Sequence, residues 1–138
     1  MKYFCLVYHE EQNLAALSSK ELETLAGGCG AWKQELGGHH ILSAALQSAR
    51  VAATVRCRNG KTTISDGPFA ETKEFLGGFT LIDAKDLNEA VQLASKLPAV
   101  RLVSASVEVR PVLEPDMKPT DPLDQKIVAA FQHVGHSS

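Results

Sequence analysis

The side chains best suited to chemistry gather in one stretch, Asp66-Gly67-Pro68-Phe69-Ala70-Glu71-Thr72-Lys73-Glu74. Asp66 stands where a strand-like segment meets a turn, beside a Gly-Pro pair that restricts the backbone. A partly desolvated carboxylate in such a place serves as a general base. The same residue also suits a plain turn, with its oxygens accepting from nearby backbone N–H groups. Phe69 offers an apolar anchor, and Glu71, Lys73 and Glu74 offer mixed charges, to a polar ligand. Those charges equally suit a solvated face, where a local ion pair is worth under about 1 kcal/mol. His9 ends the first strand-like segment, and an imidazole at a sheet rim titrates near neutral pH; its other reading is a rim His bonded to backbone. His39 and His40 are adjacent, so on a strand they face opposite sides and at most one joins a site. Asp66, His9 and His40 are therefore the candidate catalytic residues.

Arg56 and Arg110 are strand cations able to hold a carboxylate or phosphate bidentately. Arg110 also fits a simpler polar ladder with Glu108. With Phe69, Glu71 and Lys73 they complete the candidate ligand-binding set. Gly27-Gly28-x-Gly30 lies inside a helical pattern rather than after a strand, so it is no phosphate loop. G-x-S-x-G, H-E-x-x-H and the kinase motifs are absent. His133 and His136 have metal-ligand spacing on a possible helix, but no carboxylate or thiol in register. Cys5, Cys29 and Cys57 are odd in number and form no C-x-x-C, which argues against a disulfide framework or structural zinc. No metal and no cofactor are expected.

The 138 residues suit one domain. A hydrophobic fraction of 44% and a charged fraction of 22% are globular values. The formal net charge of −2, without a Lys/Arg stripe, excludes a typical nucleic-acid binder. No apolar run is long enough to span a membrane. Met1 to Tyr8 is too short for a signal peptide and reads better as a strand. These features and the thiols point to a cytoplasmic protein.

The elements that must position the candidates follow from periodicity. Residues 2–9 alternate two apolar sets, Tyr3, Cys5 and Val7 against Phe4, Leu6 and Tyr8, which implies a strand covered on both faces. Ser18-x-x-Glu21 is a capping box, and Leu22, Leu25, Ala26, Cys29, Trp32 and Leu36 recur at helical spacing over about 19–36. Gly27, Gly28 and Gly30 each cost that helix roughly 1 kcal/mol against Ala, so it needs close packing. Strands are predicted at 39–47, 51–58, 61–65, 79–83 and 104–112, with Asn59-Gly60 as a hairpin turn. A helical turn is predicted over 70–76, broken by Gly77-Gly78. Asp86-x-x-Glu89 caps a second helix that Pro98 stops. After Pro115, Pro119 and Pro122, a short helix over 123–134 carries Ile127, Val128 and Phe131 on one face.

With the Asn-Gly hairpin as an insertion, the order is β-α-β-β-α-β. That predicts an α+β fold, ferredoxin-like, with two helices on one face of an antiparallel sheet. Two helices leave the second face bare, although the first strand is apolar on both. A second copy covers it most economically, giving a homodimer through the sheet face; the tail helix is the alternative cover.

The Asp66–Glu74 block, followed by Gly77-Gly78-Phe79, resembles the YCII-related family in its DGPF branch. The opening strand, the Asn-Gly hairpin, the helix start at 86–90 and Val107-Glu108-Val109-Arg110-Pro111 agree in order and spacing. The resemblance covers residues 1–113 as one domain, with 114–138 as a Pro-containing tail. It implies a dimeric α+β barrel. It also implies, for some relatives, a His–Asp pair doing acid/base chemistry on small ring compounds. Where those relatives carry a His inside the first helix, this chain has Gly28-Cys29-Gly30.

Three functions follow as expectations. A small-molecule-binding or sensing homodimer needs a cleft near Asp66, Phe69 and Glu71. A cofactor-independent enzyme acting on a small cyclic or carbonyl compound needs His9 or His40 within reach of Asp66. A protein-interaction adaptor needs an exposed apolar patch on the tail helix.

Overall fold

A computed structural model describes residues 1–134. The chain has an α+β fold with antiparallel sheets. Strand β1 (Lys2–His9) is central, and its alternation explains why. Tyr3 and Cys5 are fully buried on one face, while Phe4, Leu6 and Tyr8 are half-buried on the other. It pairs with β5 (Phe75–Asp83) and β6 (Ser106–Pro111), and β2 (His40–Ala45) adds beyond β5, so the sheet order is β2-β5-β1-β6. The hairpin β3 (Ala53–Arg58) and β4 (Lys61–Asp66) forms a separate two-stranded sheet. Asn59 and Gly60 turn it with positive φ at both positions, the geometry that makes Asn-Gly a hairpin signal.

Between β1 and β2 run α1 (Glu11–Ala15), one turn that periodicity did not predict, and α2 (Ser19–Leu36), over the predicted span. Ser18 and Glu21 cap α2 reciprocally, with Glu21 N–H donating to Ser18 Oγ at 3.1 Å and Ser18 N–H to Glu21 Oε1 at 2.8 Å. Leu25, Trp32 and Leu36 bury its inner stripe. Leu22, predicted in that stripe, is 42% exposed. The glycine-rich turn is only partly a packing device. A Cβ on Gly28 would lie 3.1 Å from Pro98 Cγ, whereas Gly27 and Gly30 face open space.

Helix α3 (Leu87–Ala94) is capped by Asp86, which accepts from Glu89 N–H at 2.9 Å. Trp32 Nε1 donates to Leu93 O at 2.9 Å and ties α2 to α3. Both helices pack on the Tyr3–Cys5–Ile82 face of the sheet, in one core cluster. A further helical turn, α4 (Ala99–Leu102), delays the last strand to Ser106, two residues after the predicted start. Helix α5 (Pro122–His133) is capped by Asp121, and Gln132 Nε2 reaches back to Pro115 O at 3.1 Å. Val128 is buried and Ile127 and Phe131 are half-buried, so its apolar stripe turns inward. No helix among the described residues is long and apolar enough to cross a membrane.

The predicted helical turn over 70–76 and the break at Gly77-Gly78 are not found. Strand β5 begins at Phe75 and runs through both glycines. The pair has a different purpose: β1 and β5 shift register between Val7 and Tyr8, and Gly77 is the extra residue of that bulge. A Cβ on Gly78 would press to 3.0 Å from Ala44 O on β2. Glycine here permits close approach within a strand.

Candidate functional site

The bulge and the two loops beside it build a cavity of about 1090 Å³ at one end of the sheet. Its floor is Tyr8, Phe75 and Leu76, at the paired ends of β1 and β5. One wall is the chain from Ala45 through Val55, leaving β2 and entering the hairpin. The opposite wall is the turn Pro68-Phe69-Ala70 with Thr72 and Glu74. The turn is held by backbone rather than by its acid. Gly67 takes φ +91°, its N–H donates to Ala52 O at 2.6 Å, and Thr54 Oγ1 donates to Gly67 O at 2.9 Å.

The first wall is fixed by a residue that periodicity did not single out. Glu11 accepts from Ser48 Oγ and from Ala49 N–H, each at 2.8 Å, capping the 3-10 turn Ala49–Val51. The Ala49 N–H chiefly, then the Ser48 hydroxyl, hold the Glu11 carboxyl below its ordinary range, and the charges of Arg50 and His9 act in the same direction. Nothing in the Glu10-Glu11-Gln12 sequence marks this long-range bond; only its place after a strand end is suggestive.

The predicted site residues are dispersed around this cavity. Phe69 lines it and is 75% exposed. Glu71 lines a smaller cavity of about 370 Å³ with Glu11 and Arg50. Lys73 Nζ lies 3.6 Å from Glu10 Oε1. Arg56 donates to Phe69 O and so links the hairpin to the turn. Asp66 is exposed, lines neither cavity, and its carboxylate makes no hydrogen bond among the described residues.

The remaining candidates lie further away. His9 is buried on the helix-covered face, and its Nδ1 has no hydrogen-bond partner among the described residues. His40 begins β2, at the opposite end of that strand from the cavity, with Nε2 3.1 Å from Ser43 Oγ. His39 Nδ1 donates to Asp83 O at 2.8 Å. Arg110 sits opposite Phe4 and is ion-paired with Glu108. His136 lies outside the described residues. Among the described residues no three His, Cys, Asp or Glu side chains are grouped to hold a metal ion.

Across residues 1–116 the chain matches the model of the YCII-related domain. It is also 39% identical over 114 residues to an uncharacterized protein of Rhizobium meliloti (strain 1021), an alignment covering 81% of this chain and 92% of that protein.

Proposed function

The chain belongs to the YCII-related family, and on that premise we propose that it is a small-molecule-binding homodimer of the DGPF branch, with its ligand in the cavity behind the Pro68–Ala70 turn. One observation carries this reading. The signature turn forms a wall of a concave, mostly apolar cavity whose volume of about 1090 Å³ lies just above the usual ligand-site range of about 300–1,000 Å³. No imidazole lines it among the described residues. Acid/base catalysis by Asp66 with His9 or His40 therefore lacks a shared pocket, which favours binding over turnover. The adaptor reading needs an exposed stripe on α5, and that stripe turns inward.

The homodimer reading rests on the face of the sheet opposite α2 and α3. Phe4, Leu6, Tyr8, Phe79, Leu81 and Leu42 share it, and the core cluster that α2 and α3 join lies on the other face. Its strand order, with the hairpin as an insertion, supports a ferredoxin-like sheet that closes on a second sheet into a barrel.

A thermal-shift screen of the purified protein against a small-metabolite library tests the binding reading, with Leu46→Trp run in parallel. Leu46 lines the cavity and is 44% exposed, so the larger ring occupies the ligand's space without entering the core. Hits should raise the Tm of the wild type by mass action and leave Leu46→Trp unmoved. Hits that stabilise both proteins equally would place the ligand elsewhere.

A further inference from the structure

We infer that the cavity prefers a ring compound carrying a cationic amine, with Glu74 as its counter-ion, over carboxylates, sulfonates and phosphates. The inference rests on the ligand-site reading and deepens it. The wall has aromatic surface from Tyr8, Phe69 and Phe75 and aliphatic surface from Leu46, Val51 and Val55, which suits flat apolar rings. Glu74 is the one charged residue on that wall, and its carboxylate has no ion-pair partner among the described residues.

An anion would need charged donors, and three of the neutral hydroxyls around the cavity are already used. Ser48 Oγ donates to Glu11, Thr54 Oγ1 to Gly67 O and Thr72 Oγ1 to Glu74 O. The neighbouring cations do not line the cavity and have other partners. Arg56 donates to Phe69 O, Arg50 Nε donates to Ser48 Oγ from the smaller cavity, and Lys73 reaches Glu10. Among the described residues, the polar side-chain groups of the lining left without a partner are the Tyr8 hydroxyl and the Gln47 amide, which are neutral, and the Glu74 carboxylate, which supplies the charge. Glu74 is exposed at the cavity rim, where an acid would meet like charge and an ammonium an opposite one.

Three fluorophores separate charge from shape: neutral N-phenyl-1-naphthylamine, its anionic 8-sulfonate, and cationic proflavine. Each is titrated into wild type, Glu74→Gln and Leu46→Trp. The sulfonate should bind at least about tenfold more weakly than its neutral parent. Glu74→Gln should weaken proflavine about fivefold and leave the neutral probe unchanged. Leu46→Trp should weaken every probe that binds. If the sulfonate binds as tightly as its parent, or Glu74→Gln leaves proflavine unchanged, while Leu46→Trp still blocks the neutral probe, the cavity remains a site and its charge preference is overturned. If the neutral probe fails to bind, or ignores Leu46→Trp, the ligand-site reading falls and this inference with it.

Discussion

The His9 imidazole occupies the space that Gly77 leaves empty: a Cβ built on Gly77 would overlap Nε2 and Cδ2 of the ring. His9 is only 8% exposed, so the ring cannot swing out of the way. Gly77→Ala should therefore destabilise the fold by about 1–3 kcal/mol through overpacking. His9→Ser removes the obstruction, so the double variant should recover much of that loss. Denaturant unfolding of both single variants and the pair measures the coupling; additive effects would show that the two residues do not compete for this space.

The glycines of α2 make the opposite case. Gly27 is in a helix interior with no neighbouring atom near its missing Cβ. Gly27→Ala should stabilise by up to about 1 kcal/mol, from propensity alone. Gly28→Ala should gain less, since its methyl meets the Pro98 ring. Thermal unfolding of the two variants ranks them.

These two glycine groups show what was legible in the sequence. The capping box and the Asn-Gly hairpin are local codes, written within a few residues, and each appears at its predicted place, while the α2 stripe is buried at Leu25, Trp32 and Leu36 but exposed at Leu22 and Ala26. Gly77-Gly78 was ambiguous because a glycine reads alike whether it breaks a helix or admits a side chain from another strand. The ring that decides the matter is His9, far away in sequence. The cavity was hidden for the same reason: its walls are two loops brought together by the β1–β5 pairing and by the Glu11 bond to Ala49. Asp66 itself lines neither cavity. The residues that face the cavity are its successors, Pro68, Phe69, Thr72 and Glu74.

Glu11 gives the fold an acid-sensitive joint. Its folded carboxyl titrates below the ordinary value of 4.5, so the unfolded chain binds the proton more readily. Its stabilisation is present above the unfolded pKa and is lost as pH falls through the lowered folded one. Glu11→Gln should reduce stability at pH 7 and flatten the decline between about pH 5 and 3. Chemical denaturation at a series of pH values checks this, and parallel wild-type and variant curves would remove Glu11 from the acid response.

The three thiols should react in order of access. Cys5 is buried in β1, and burial pushes its thiol up to about 11. Burial also raises Cys29, with Lys33 partly opposing, and Cys57 is exposed on β3. A thiolate-selective reagent at pH 8 should label Cys57 first, Cys29 slowly, and Cys5 only on unfolding. Peptide mapping of a labelling time course reads this order. Labelling of native Cys5 at the Cys57 rate would mean that the core opens far more often than its packing implies.

The sheet face opposite α2 and α3 supplies the test of the homodimer. Phe4 and Phe79 meet edge to face there, with ring centroids 5.8 Å apart. Leu81 and Leu42 extend the apolar row to one side, and Leu6 lies opposite Phe79. A stable pair of subunits buries roughly 800 Å² on each partner, so the apolar centre of this face must be largely enclosed. Phe79→Glu places a charge in that centre, where no cation lies opposite it in register. The fold of one subunit should tolerate it, because Phe79 faces away from the helix-covered core. Burial against a partner should not tolerate it. Sedimentation should show a wild-type dimer and a folded Phe79→Glu monomer. A folded variant that remains dimeric would move the contact to the hairpin, where Val55 and Ile64 pair across β3 and β4 at 67% and 73% exposure.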